Sequence, residues 1–130
     1  MQAGALLLAA ALAILLHELV HALFFWLFSR DRPTFGMGPG YFFAACPGHF
    51  FPPRQYLVVG LAPFAGLTAA GAALLPLVPG RWLPALFCFL VTNAAGAAGD
   101  LLICWRIAFE QGDALVQDLG DGIEVYRRQS

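Results

Sequence analysis

His17, Glu18 and His21 form a His-Glu-Leu-Val-His sequence in an otherwise apolar stretch. On a helix, residues four apart lie one above the other on the same face, so the two imidazoles are predicted to point the same way. Two such rings can share one Zn²⁺ at about 2.0–2.1 Å, and Glu18 can lean over the ion as a general base. The chemistry this permits is metal-assisted hydrolysis, because zinc lowers the pKa of a water toward about 7. Ionisable groups deep in an apolar span are rare and costly, about 2.5–3.5 kcal/mol or more for a central charge, and most have a job. The bland alternative is a polar helix–helix contact made by the same three side chains.

Zinc sites that do chemistry keep three protein ligands and one open position. Asp100 is the one acidic residue inside the third apolar stretch. The first and third spans run in the same direction. His17 and His21 come about 14 and 18 residues into the first, and Asp100 about 18 residues into the third, so at about 1.5 Å per residue they are predicted at nearly one depth. Charge balance agrees: one Zn²⁺ offsets the ionised Glu18 and Asp100, which would be expensive unpaired in lipid. A plain hydrogen bond from Asp100 to a histidine or to Arg106 is the competing reading. His49 is the rival third ligand, carried by a loop that can fold back. Asn93 lies about two helical turns before Asp100, where its amide can reach a substrate carbonyl or developing oxyanion, or else make an interhelical hydrogen bond.

Three spans must hold these groups. Of the 130 residues 60% are hydrophobic and 12% charged, with a mean hydropathy of +0.73, whereas a soluble domain is about half apolar and a quarter charged. Spans are predicted over about residues 3–28, 56–78 and 82–109, each near the ~20 residues that cross a bilayer. The fold class expected is all-α membrane: three transmembrane helices with a β-hairpin-like loop between the first two, in a single domain over 1–130. The amino-terminal run lacks a positive leader and continues past any Ala-x-Ala site, so an uncleaved span is expected. Arg30, Arg32 and Arg54 lie in the first loop and Arg106, Arg127 and Arg128 lie at or after the end of the third span, against Arg81 alone on the other side. That bias puts the carboxyl terminus in the cytoplasm and the amino terminus outside, in a multi-pass cell-membrane protein. A net charge of -1 gives no reason to expect a nucleic-acid partner. Oligomeric state is not legible.

The first loop alternates Gly and Pro with Tyr41, Phe42, Phe43, Phe50 and Phe51. A hairpin with strands near 41–45 and 49–51 around Pro47-Gly48 is predicted. Cys46 and His49 flank that turn, which accounts for their metal-like spacing. Cys88 and Cys104 read as small packing residues. Ala62, Gly66 and Ala70, with Ala95, Gly96 and Gly99, are predicted to mark close helix contacts. The polar tail, 110–130, reads as solvated and cytoplasmic, with a turn at Gly120-Asp121-Gly122 and a possible short strand at Ile123–Tyr126.

The His17–His21 motif in the first span and Asn93-Ala-Ala-Gly-Ala-Ala-Gly-Asp100 in the third resemble the site-2 protease group of intramembrane zinc metalloproteases. The likeness is nearest to a family of short membrane proteins described as putative zincin peptidases. The resemblance covers most of residues 3–110. It implies an endopeptidase in which His17, His21 and Asp100 bind zinc, Glu18 is the base and Asn93 contacts substrate. Site-2 proteases carry prolines between that Asn and Asp, and Gly after the Asp; here the interval is Ala/Gly-rich and Leu101 follows. No accessory domain is evident, so selection of a membrane protein or peptide substrate falls to the core, the aromatic loop or another protein. The alternatives are a non-proteolytic adaptor or metal-binding protein that keeps the fold, and a transporter subunit using the buried His and Asp residues.

Overall fold

The structure is a computed structural model that describes residues 2–110 and 113–127. Three helices dominate it: α1 (Gln2–Ser29), α2 (Pro53–Leu74) and α3 (Leu83–Ile107), the last preceded by a 3₁₀ turn at Gly80–Trp82. All three are long and apolar enough to cross a membrane. Local chemistry sets their ends. Pro52 and Pro53 suit the start of α2, where the first N–H groups need no helical partner. At its other end Pro76 has no N–H to continue the ladder, and α2 ends at Leu74, short of the expected boundary, although Leu75 keeps helical φ and ψ.

Each helix turns one narrow stripe inward. In α1 the buried residues are Ala9, Ala13, His17, His21, Ala22 and Phe25, largely a run of every fourth residue. In α3 they are Asn93, Ala97, Cys104 and Ile107. The rest of each helix exposes leucine and aromatic side chains, as a bundle surrounded by lipid does. The stripe Ala62–Gly66–Ala70 does not make the expected contact, since Gly66 faces open space. Gly60 is used instead: a Cβ there would lie 2.4 Å from Cys104 Sγ, so only glycine lets α2 come this close to α3.

A hairpin does join α1 and α2, but its register differs from expectation. Strands β1 (Thr34–Gly38) and β2 (Tyr41–Ala45) pair antiparallel about Pro39-Gly40, with Phe35 opposite Ala44 and Met37 opposite Phe42. Gly40 and Gly48 both have positive φ, so both Pro-Gly pairs turn the chain. Only the first has a strand on each side. Phe51 is instead paired with Val116, through Phe51 N–H to the Val116 carbonyl at 2.7 Å and Val116 N–H to the Phe51 carbonyl at 2.8 Å.

That bridge reflects a further departure from the all-α, solvated-tail expectation. The tail folds into β3 (Leu115–Asp118) and β4 (Ile123–Tyr126), joined antiparallel through the expected turn at Gly120. Val116 is fully buried and joins Phe25, Phe51, Tyr56, Val59 and Ile107 in one apolar core beneath the helices. Glu110 and Arg127 form an ion pair across the base of this hairpin. Gln111, Gly112 and the end of the expected tail, including Arg128, lie outside the described residues.

Candidate metal centre

The inward stripe of α1 carries both histidines, with ring centroids 5.0 Å apart and the planes nearly perpendicular. Asp100 approaches from the stripe of α3. Its Oδ2 lies 2.9 Å from His17 Nε2 and 3.2 Å from His21 Nε2. The depth match read from the two spans thus corresponds to direct contact. His17 and His21 are buried and Asp100 is partly buried.

The opposite ring nitrogens are also engaged. His17 Nδ1–H donates to Asn93 Oδ1 at 2.9 Å, and His21 Nδ1–H donates to the Val59 carbonyl at 3.0 Å. A neutral imidazole has one N–H, so these two bonds leave both Nε2 atoms as lone pairs. An ionised carboxylate oxygen is likewise an acceptor. With both imidazoles neutral and Asp100 ionised, three acceptor atoms lie within 4.8 Å of one another, an arrangement that suits a bound cation. Two ligands about 2.0–2.1 Å from a tetrahedral ion sit roughly 3.3 Å apart, close to the separations found. The donor set of two imidazole nitrogens and a carboxylate oxygen also suits zinc. Metal-binding histidines commonly give the other ring N–H to a carbonyl or carboxylate, which fixes tautomer and ring orientation.

A family model described as "putative zincin peptidase" matches residues 10–115. The chain belongs to that family. No curated protein and no solved structure matches it. The region matched in this zincin-family chain contains both histidines, Asp100 and the first hairpin. The family description implies a zinc metallopeptidase, and the convergent donors fit the ion.

Glu18 projects beside the cluster. One oxygen, Oε2, accepts the Ala44 N–H at 2.8 Å, so strand β2 holds the carboxylate by its edge. A cavity of about 490 Å³ opens here, bounded by His17, Glu18, His21, Asp100, Phe43 and Asp118 among others. The hairpin expected from the aromatic loop therefore forms a wall of the cavity, and so does the tail hairpin.

Asn93 stands behind His17 rather than on that cavity wall. It is 1% exposed, and its Nδ2 points to Thr68 Oγ1 at 3.5 Å. The amide expected to meet substrate is committed in this arrangement to the histidine. His49 is not brought to the cluster: its ring packs on Phe51 at 4.4 Å, and its Nδ1 lies 3.9 Å from Asp31. Cys46 points its thiol toward Ser29 Oγ.

Sequence reasoning missed four contributors: Val59, Ala44, Tyr56 and Asp118. Two act through backbone atoms, which no side-chain motif reveals. The Tyr56 hydroxyl donates to Asp118 Oδ2, and the Gly120 N–H donates to Asp118 Oδ1 at 2.8 Å. Burial pushes the Asp118 carboxyl above the usual range, and these two hydrogen bonds only partly offset it. A carboxylate in a solvated tail would carry no such signal.

Proposed function

We propose that this chain is an intramembrane zinc endopeptidase of the site-2 type, cleaving peptide bonds in membrane-associated proteins or peptides. The observation that carries the reading is the convergence of His17 Nε2, His21 Nε2 and Asp100 Oδ2 between two membrane-length helices, with Glu18 at the rim of the same cavity. In this reading His17, His21 and Asp100 hold the metal. Bound zinc supplies Lewis acidity, which acidifies water and polarises a peptide carbonyl.

The chain's own groups then have defined tasks. Ala44 anchors Glu18 by one oxygen and leaves the other to take a proton from the attacking water and deliver it to the leaving amine. Asn93 and the Val59 carbonyl keep the two imidazoles in register. Tyr41, Phe42 and Phe43 of β2 line the cavity, so apart from the Ala44 N–H that Glu18 takes the outer edge of β2 offers an unwound substrate segment a strand to pair with. The first loop and the tail meet through Phe51–Val116 and Gly48–Gln117, as an odd number of spans requires. Together with the arginine bias this favours a cytoplasmic first loop and carboxyl terminus.

The test uses zinc-loaded protein in liposomes with a set of single-span peptides, and fragments are read by mass spectrometry. Glu18→Gln should keep zinc and lose cleavage, since general-base catalysis contributes about 10²–10⁴-fold. Zinc-replete wild-type protein that cuts none of the peptides would favour a non-proteolytic metal-binding role. Fragments appearing equally with Glu18→Gln would remove Glu18 from the chemistry.

A further inference from the structure

Helix α2 carries Pro63 in its interior, at a position less than 2% exposed. Proline is the least favourable residue in a helix interior, because it has no N–H and its ring crowds the carbonyl four residues back. That carbonyl belongs to Val59. In a membrane-length helix a freed carbonyl must find another donor, since lipid offers none. The donor found here is the His21 Nδ1–H, at 3.0 Å. The residue that breaks the ladder and the ligand that repairs it therefore meet at one atom.

We propose that Pro63 is a positioning residue for His21. By withholding the backbone N–H that a helix gives to the Val59 carbonyl, it reserves that carbonyl for the imidazole and fixes Nε2 as the nitrogen facing Asp100. The inference rests on the metal-centre reading only for its consequence; the hydrogen bond itself can be examined without metal. Neighbouring contacts support a built arrangement. Gly60, next to Val59, allows the tight approach to Cys104, one helical turn beyond Asp100. Tyr56, one turn before Val59, is tied to Asp118. This stretch of α2 is thus held on both sides while its central carbonyl is left open to α1.

The decisive comparison is between Pro63→Ala and the α-hydroxy analogue of alanine at the same position, introduced into the full chain by nonsense suppression. Both remove the ring and present the same methyl group. Only Pro63→Ala restores an N–H. Two readouts apply in detergent-solubilised protein: zinc affinity by chelator competition, and the His21 Nδ1 proton in metal-free, imidazole-labelled protein by NMR. Pro63→Ala should weaken zinc binding by about 10-fold, the low end of the effect of disturbing a partner behind a metal ligand, and move the Nδ1 proton upfield. The α-hydroxy analogue should match wild type in both. Equal loss in the two variants would assign the role to the ring's packing and overturn the proposal. So would wild-type behaviour in Pro63→Ala, or an Nδ1 proton in wild type without a hydrogen-bonded shift. If wild-type protein binds no zinc the metallopeptidase reading fails, and the NMR comparison still decides the part played by Pro63.

Discussion

Replacing Asn93 by alanine separates two tasks that one amide can have. The Asn93 Oδ1 atom accepts the His17 Nδ1–H at 2.9 Å, and the residue is 1% exposed. Truncation leaves that N–H in a buried site without an acceptor. An unsatisfied buried donor costs about 1–3 kcal/mol. If that cost falls on the orientation in which Nε2 faces the metal, it corresponds to roughly 5- to 150-fold in affinity, at about 1.4 kcal/mol per decade. Losing a partner behind a ligand costs about 10–100-fold in measured sites, which overlaps this range. Asn93→Ala is therefore expected to weaken zinc binding by about 10-fold or more, measured by competition with a chromophoric chelator. A substrate-contacting amide makes the opposite forecast. Removing an oxyanion donor lowers kcat by about 10²–10³ and leaves the metal in place. Zinc affinity within twofold of wild type in Asn93→Ala would refute the argument that this residue serves His17.

Two further expectations concern the tail hairpin that forms one wall of the cavity. Gly120 has φ 91°, and a Cβ there would lie 2.2 Å from the Phe43 ring. Gly120→Ala should loosen the contact between the two hairpins, at about 1–2 kcal/mol for the left-handed backbone alone, and make residues 113–127 more sensitive to limited proteolysis; unchanged protection would refute it. Asp118 has a folded-state pKa above its unfolded value, chiefly through burial. Its contribution to stability is thus fully present below the unfolded value, near pH 3.9, and declines as pH rises through the folded-state value. Asp118→Asn should flatten the part of the thermal stability profile that falls as pH rises above that unfolded value, and a difference between the two proteins that does not change with pH there would contradict the sign.

How much of this was legible in the sequence depends on where the chemistry resides. The His-Glu-Leu-Val-His spacing and the depth of Asp100 follow from helix geometry alone, because an apolar span fixes rise and facing for every side chain it carries. The first hairpin was legible as a hairpin, since aromatic runs around Pro-Gly pairs have few other ways to satisfy their backbone. Its register was not. Pro39-Gly40 and Pro47-Gly48 both form turns, and the choice between them depends on Val116, far along the chain, capturing the backbone of Phe51. The tail reads as solvated from sequence because Asp113, Asp118, Asp121 and Glu124 dominate its composition. Val116 and Val125, opposite each other in the hairpin, carry the alternation that folds it, but a four-residue strand is too short to outweigh so much charge. Val59 was illegible as a histidine partner, although Pro63 four residues on gave the clue: a proline inside a span announces a carbonyl in need of a donor.

Metal content addresses the metal centre most directly. Full-length protein purified without chelator, together with His17→Ala, His21→Ala and Asp100→Ala, can be compared by elemental analysis at matched protein concentration. One zinc per chain is expected in the wild type, with large losses in each of the three variants. Stoichiometric zinc retained in both His17→Ala and Asp100→Ala would mean that the ion is held elsewhere, and the convergence of α1 and α3 would have to be read as a polar contact between helices.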